Sequence, residues 1–254
     1  MADAKTIYCE RGGKSGPILM LLHGLGANGR VWDGLRPILA ERWPGRWLIP
    51  DFRGHGRSLH RAKYGIGIHA ADVAELLEQD EEVSIIGHSM GGVVGIALAT
   101  AIFGANVRRV VAFSVKVDWT EEDVGKAQAL ARAPARIFAS KEEAIERYLR
   151  VSGLKGIVAP DSAVAESGIH EEQNQFRLAV DPLTNALGTA DFARLAQAAK
   201  VPIRLLCGEQ DNIASAAGMR RLGSAVTELP GLGHNLHVES PQALWQAIEA
   251  DLNG

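Results

Sequence analysis

Cysteine is nearly absent from this chain, with two in 254 residues. A disulfide framework is thereby excluded, and stability must come from a packed core. Cys207 closes the apolar run Ile203–Cys207 and reads as a buried free thiol, not a metal ligand. Net charge is almost as scarce: 27 Lys and Arg against 30 Asp and Glu leave −3, so there is no basic footprint for nucleic acid or an anionic membrane. No run of about 18 consecutive apolar residues is present to span a bilayer, and Met1–Lys5 lacks the apolar stretch of a signal peptide. These absences predict a soluble, cytoplasmic protein whose partner is a small molecule. Neither an internal repeat nor a low-complexity segment appears.

What is present is a 46% hydrophobic composition in a distinctive alternation. Short apolar runs bounded by Gly, Pro or Asp are separated by longer helical patterns, the signature of a parallel sheet covered on both faces by helices. Strands are predicted at Ile18–Leu22, Trp47–Pro50, Val83–Ile86, Val107–Phe113, Ile203–Cys207 and Ala225–Leu229, with one more around Thr6–Glu10. Helices are predicted at Val31–Trp43, His69–Gln79 and Met90–Phe103, where apolar residues recur at three and four. A last helix starts with Ser240 as N-cap and Pro241 as its first residue, and Leu244, Trp245, Ile248 and Leu252 form its buried stripe. The alternation breaks between about Val117 and Ala199. Capping boxes at Thr120–Asp123 and Ser140–Glu143 mark that insertion as a small helical cap. The chain is therefore divided into a core of residues 1–116 and 200–254 and a cap of residues 117–199.

Gly87-His88-Ser89-Met90-Gly91 matches G-x-S-x-G. At ordinary Gly and Ser frequencies the bare pentapeptide arises by chance in roughly one chain of this length in ten. Its position, directly after a strand and before a helix, makes it specific. A serine held in a sharp turn between those elements needs small neighbours, and the helix start favours developing negative charge beside it. A hydroxyl becomes a good nucleophile when a base takes its proton, and that base needs an acid to orient it. Of eight histidines, His234 lies in the Gly-rich loop Pro230–His234 between the last strand and the last helix. Asp211 follows the preceding strand. Ser89, Asp211 and His234 are the candidate catalytic residues; His237 competes as the base, and Glu209 and Asp118 as the acid. Acyl transfer also needs two backbone donors for an oxyanion, predicted to be the N–H groups of Met90 and of Leu25 in the loop His23–Gly26. His23 is expected to support that loop.

The segments HGLGANGRVW (23–32), DFRGHGRS (51–58), GHSMGG (87–92), LLCGEQD (205–211) and GLGHNLHVESP (231–241) together resemble the α/β-hydrolase superfamily. The resemblance implies a mostly parallel twisted sheet and a serine hydrolase that needs neither metal nor organic cofactor. It implies, too, that Arg53 and His55 are scaffold in a turn near the site's rim. Ser89 stands where haloalkane dehalogenases and epoxide hydrolases of the superfamily carry Asp. The HGGG loop of hormone-sensitive-lipase-like esterases is missing, and Asn235 follows the candidate base where carbon–carbon-bond hydrolases often carry Trp. The expected activity is hydrolysis of a small carboxylic ester, lactone or thioester. Carbon–carbon cleavage, acyl transfer to another acceptor and a binding receptor with weak turnover are the alternatives. Trp32, Arg53, Trp119, Tyr148 and Phe176 are the candidate substrate contacts, with Phe138 and Phe192 also expected near the pocket.

Overall fold

The computed structural model describes residues 7–186 and 191–253. Its first five strands are β1 (Cys9–Gly12), β2 (Ile18–Leu22), β3 (Arg46–Pro50), β4 (Glu82–His88) and β5 (Asn106–Phe113). The insertion contributes β6 (Ile137–Phe138), β7 (Ile169–Glu172) and β8 (Gln175–Leu178), and the chain then returns to the main sheet with β9 (Ile203–Gly208) and β10 (Val226–Leu229). The main sheet has seven strands in the order β1-β3-β2-β4-β5-β9-β10. Every pair is parallel except β1 with β3. Only β1 precedes β2 among the described residues, as the sequence predicts, but it begins at Cys9; Thr6 lies outside the described residues.

All five residues of β2, Ile-Leu-Met-Leu-Leu, are buried because the sheet is covered on both faces. Met20 and Leu22 face a core packed by α2 (Ile66–Ala74) and α3 (Met90–Leu98), whereas Leu19 and Leu21 face the other side. On that other side lie the 3-10 turn Gly29–Leu35, α1 (Arg36–Arg42) and the final helix Pro241–Asn253. The predicted helix over 31–43 thus divides in two, with Pro37 in the first turn of its α-helical half. Ser240 caps the final helix as predicted, accepting from Ala243 N–H at 3.3 Å. Its Leu244, Trp245 and Ile248 are at most 1% exposed, and such side chains each stabilise the fold by about 1.5–3 kcal/mol.

The insertion between β5 and β9 holds α4 (Glu121–Arg132), α5 (Lys141–Val151), α6 (Ala163–Glu166) and α7 (Phe192–Ala198). Thr120 and Asp123 close the predicted capping box, and Ser140 caps α5. Two findings differ from the sequence reading. The cap also contains a three-stranded antiparallel sheet, β6-β8-β7, whose strands are too short and too polar to register as core strands. Helix α7, expected in the cap, packs Phe192 and Ala196 into the core beside α3, so it belongs to the helical layer of the main sheet. After β9 come α8 (Ala216–Met219), α9 (Leu236–Glu239) and α10, the final helix already described.

Candidate active site

Ser89 occupies the junction of β4 and α3 with φ 50° and ψ −114°, a region that side chains disfavour. Two close approaches explain the flanking glycines. A Cβ on Gly87 would lie 2.4 Å from the Gly91 carbonyl oxygen, and one on Gly91 would lie 2.3 Å from that of Leu22. The turn is fastened to β5 by the Ser89 N–H, which donates to the Phe113 carbonyl at 2.9 Å. Met90 opens α3; Gly92 N–H donates to the Ser89 carbonyl at 3.0 Å, whereas the N–H at the first position of a helix has no carbonyl partner inside it and points out of its N-terminal end, where Ser89 sits.

His234 directs Nδ1 at Asp211, 2.9 Å from Oδ2 and 3.0 Å from Oδ1. The Asp211 side chain is fully buried, and its Oδ1 also accepts from the N–H groups of Ile213 and Ala214, both at 2.9 Å. Burial pushes this carboxyl upward, but the bond from His234 and the two amides outweigh it and hold Asp211 below the usual carboxylate range. The competing acids are otherwise engaged. Asp118 is half-exposed and ion-paired with Arg221, and Glu209 accepts from Gly231 N–H. His237 is buried between Trp32, His88 and Phe113, and burial holds it near pKa 3, neutral in the core.

Three residues that the sequence reading gave no role hold His234 in place. His88 donates from Nε2 to the His234 carbonyl at 3.0 Å, and burial keeps its ring neutral. Glu239 accepts from the amides on either side of His234, Gly233 N–H at 2.6 Å and Asn235 N–H at 2.8 Å. Asn235 in turn donates from its side chain to Gly153 of the cap at 3.0 Å. The signal for Glu239 was a carboxylate five residues past the candidate base, at the end of α9 and just ahead of the last helix. His23 supports its loop as expected, donating from Nδ1 to Gly24 O and accepting at Nε2 from Phe52 N–H.

A cavity of about 550 Å³ opens above Ser89. His234, Leu25 and Met90 share its wall with Ser89, and Trp119, Val124, Ala131 and Phe192 extend the apolar surface. Of the predicted contacts, Trp119 lines this cavity and four do not. Trp32 is fully buried in the core, in edge contact with Phe113. Arg53 forms a two-point ion pair with Asp72, 2.7 and 2.5 Å, which consumes its guanidinium. Tyr148 is 1% exposed, in the core cluster that joins the cap to the main sheet and includes Trp32 and Phe113, and Phe176 lies on β8 away from Ser89, lining a separate cleft with Ile137 and Arg177. Phe192 lines the cavity, whereas Phe138 lines an adjoining one.

A serine, a histidine and a buried carboxylate carried on the ends of β4, β10 and β9 of such a sheet are the arrangement of a hydrolase. Residues 19–247 match the alpha/beta hydrolase family, and the chain belongs to it. It is 27% identical over 252 residues to 2-(acetamidomethylene)succinate hydrolase of Mesorhizobium japonicum, covering 92% of this chain and 87% of that protein. The crystal structure of an E-2-(acetamidomethylene)succinate hydrolase superposes with a TM-score of 0.82 at 23% identity, covering 98% and 95% of the two chains. The thioesterase domain from the curacin biosynthetic pathway superposes at 0.77 with 20% identity, covering 95% and 94%.

Proposed function

We propose that this hydrolase cleaves a small carboxylic ester, lactone or thioester through an acyl-enzyme on Ser89. The observation that carries the reading is the 2.9 Å contact from His234 Nδ1 to buried Asp211, with His234 and Ser89 on the wall of one cavity. Asp211 fixes the Nδ1–H tautomer, which leaves Nε2 free to take the Ser89 proton as the hydroxyl attacks the carbonyl carbon. Leu25 and Met90 N–H receive the oxyanion. As the tetrahedral centre collapses, His234 returns the proton to the leaving alcohol or thiol. It then takes a proton from water, whose oxygen attacks the acyl carbon, and hands it back to Ser89 as the acid departs. The likeness to a hydrolase over the same length of chain supports transfer to water.

The test pairs activity with labelling. A screen of p-nitrophenyl, thioester and lactone substrates should find turnover that Ser89→Ala lowers by about 10⁴–10⁶ in kcat while the protein stays folded. A fluorophosphonate should label Ser89 alone by mass spectrometry. Labelling elsewhere, or a folded alanine variant that keeps more than a few per cent of activity, overturns the assignment.

A further inference from the structure

Among the described residues the cavity above Ser89 has no Asp or Glu on its wall, yet it carries Lys116 and Arg132. A second cavity of about 710 Å³ adjoins it, sharing Leu25, Val151 and Asn185. That one, too, has no acid among the described residues that line it, and it carries Arg136 and Arg147. In a chain where acids outnumber bases 30 to 27, two adjoining cavities have therefore gathered bases only. Two of the four are neutralised by partners lining neither cavity, Lys116 by Asp123 at 2.8 Å and Arg136 by Glu143 at 2.5 Å. Arg132 and Arg147 have no ion-pair partner among the described residues.

Arg147 is informative because its helix offers it acids. Glu143, four residues earlier, is the favoured pairing position on a helix, but that carboxylate serves Arg136. Glu146 pairs with Arg150 and Lys155. Arg147 is instead half-buried on the wall of the second cavity, beside Phe138, Leu178 and Val180. A guanidinium placed against apolar side chains with no counter-charge is poorly compensated, and its planar fork matches a carboxylate in two-point contact.

We infer that the substrate carries a carboxylate remote from the bond cleaved. Its acid end enters the second cavity against Arg147, and Arg132 attracts it from the rim of the first. A purely hydrocarbon acyl group would leave both guanidiniums without use. The inference rests on the proposed hydrolase reading for its position relative to Ser89, but its charge preference is measured separately.

The experiment compares p-nitrophenyl hexanoate with the mono-p-nitrophenyl ester of adipic acid, which has the same number of carbons in its acyl chain and a terminal carboxylate. The wild-type protein should favour the acidic ester at least tenfold in kcat/KM, mainly through KM, about 1.4 kcal/mol. Arg147→Gln should remove most of that ratio and Arg147→Lys should restore part of it. Arg132→Gln should reduce it less, with a loss that shrinks as salt is added. Calorimetry of adipate binding to the Ser89→Ala protein, with and without Arg147→Gln, gives a readout independent of turnover. Turnover of both esters without charge preference, or a preference that Arg147→Gln leaves intact, sinks this inference and leaves the hydrolase standing. Adipate binding that depends on Arg147 without any ester turnover does the reverse.

Discussion

Asp211→Asn is the substitution whose consequence the geometry defines most closely. Oδ1 of Asp211 accepts from Ile213 and Ala214 N–H, so the variant's amide must place its oxygen there and its NH₂ where Oδ2 was, 2.9 Å from His234 Nδ1. That NH₂ donates toward Nδ1, and the oxygen kept at Oδ1, though 3.0 Å from Nδ1, is already shared by two amides, so the arrangement favours Nδ1 as acceptor with the imidazole proton on Nε2. The ring then has no lone pair to offer Ser89. Restoring the useful tautomer means turning the amide over, with its NH₂ facing two N–H donors. Leaving those donors unpaired costs about 1–3 kcal/mol each. At 1.36 kcal/mol per tenfold in rate, the middle of that range gives a fall in kcat of about 10³, and lost stabilisation of the imidazolium extends it toward about 10⁴. Stopped-flow or steady-state hydrolysis of a p-nitrophenyl ester reads this directly, with circular dichroism to confirm folding. A loss of less than tenfold would refute the tautomer argument, as would equal damage from Asp118→Asn. The same carboxylate makes a stability prediction. Its folded pKa lies below the ordinary 3.8, so its contribution is fully present above that value and is lost as pH falls through the folded pKa. The stability gap between wild type and Asp211→Asn should therefore be wider at pH 7 than at pH 3 in urea titrations.

The remaining predictions concern the surroundings of Ser89. In Gly24→Ala the new Cβ would lie 2.7 Å from His88 Nδ1 and 3.4 Å from Ser89 Cβ; the buried ring cannot retreat freely, so unfolding should show a loss of about 1–3 kcal/mol and kcat should drop as the Leu25 amide shifts. Glu239→Gln keeps one acceptor and turns a donor toward the other amide. It should lower kcat about tenfold with little change in KM, whereas a shift in KM alone would mean that Glu239 does not position His234. Across neutral p-nitrophenyl esters, kcat/KM should rise from acetate while each buried methylene still adds about 0.8 kcal/mol, peak at roughly four to eight carbons and then fall. A steady rise to palmitate would contradict an acyl pocket confined to the cavities beside Ser89.

The sheet was legible because strands buried on both faces are written as unbroken apolar runs. The six strands predicted from Ile18 onward all exist with ends within two residues of those read, including β10 at the sheet edge, whose Val-Thr-Glu-Leu is only partly buried. Ser89, Asp211 and His234 were legible for a related reason: each stands just past the carboxyl end of a predicted strand, in a turn marked by glycine. The cap strands were not, since Ile-His-Glu-Glu and Gln-Phe-Arg-Leu are half-exposed and carry no core pattern. The substrate contacts were the weakest reading. Size and polarity nominate Trp32, Tyr148 and Arg53 equally for a pocket or for a core, and only packing shows that the first two are buried and the third is held by Asp72. Glu239 and His88 escaped notice because they act through backbone groups, which have no identity in a sequence.

Ser89 sits where glycine is at ease and serine is not, at a cost of about 1–3 kcal/mol for such a backbone conformation. Position 89 is therefore pulled two ways. A glycine there would relax the turn and stabilise the fold, and would remove the hydroxyl altogether. Serine's AGC and AGU codons differ from glycine's by a single base and its other four by two, so this step is one or two mutations away. Under selection for thermal robustness alone, position 89 should be among the first in the chain to drift. A lineage that keeps the fold for binding and has abandoned chemistry should then carry glycine at this turn, with His234 and Asp211 left behind as a hydrogen-bonded pair facing an empty corner.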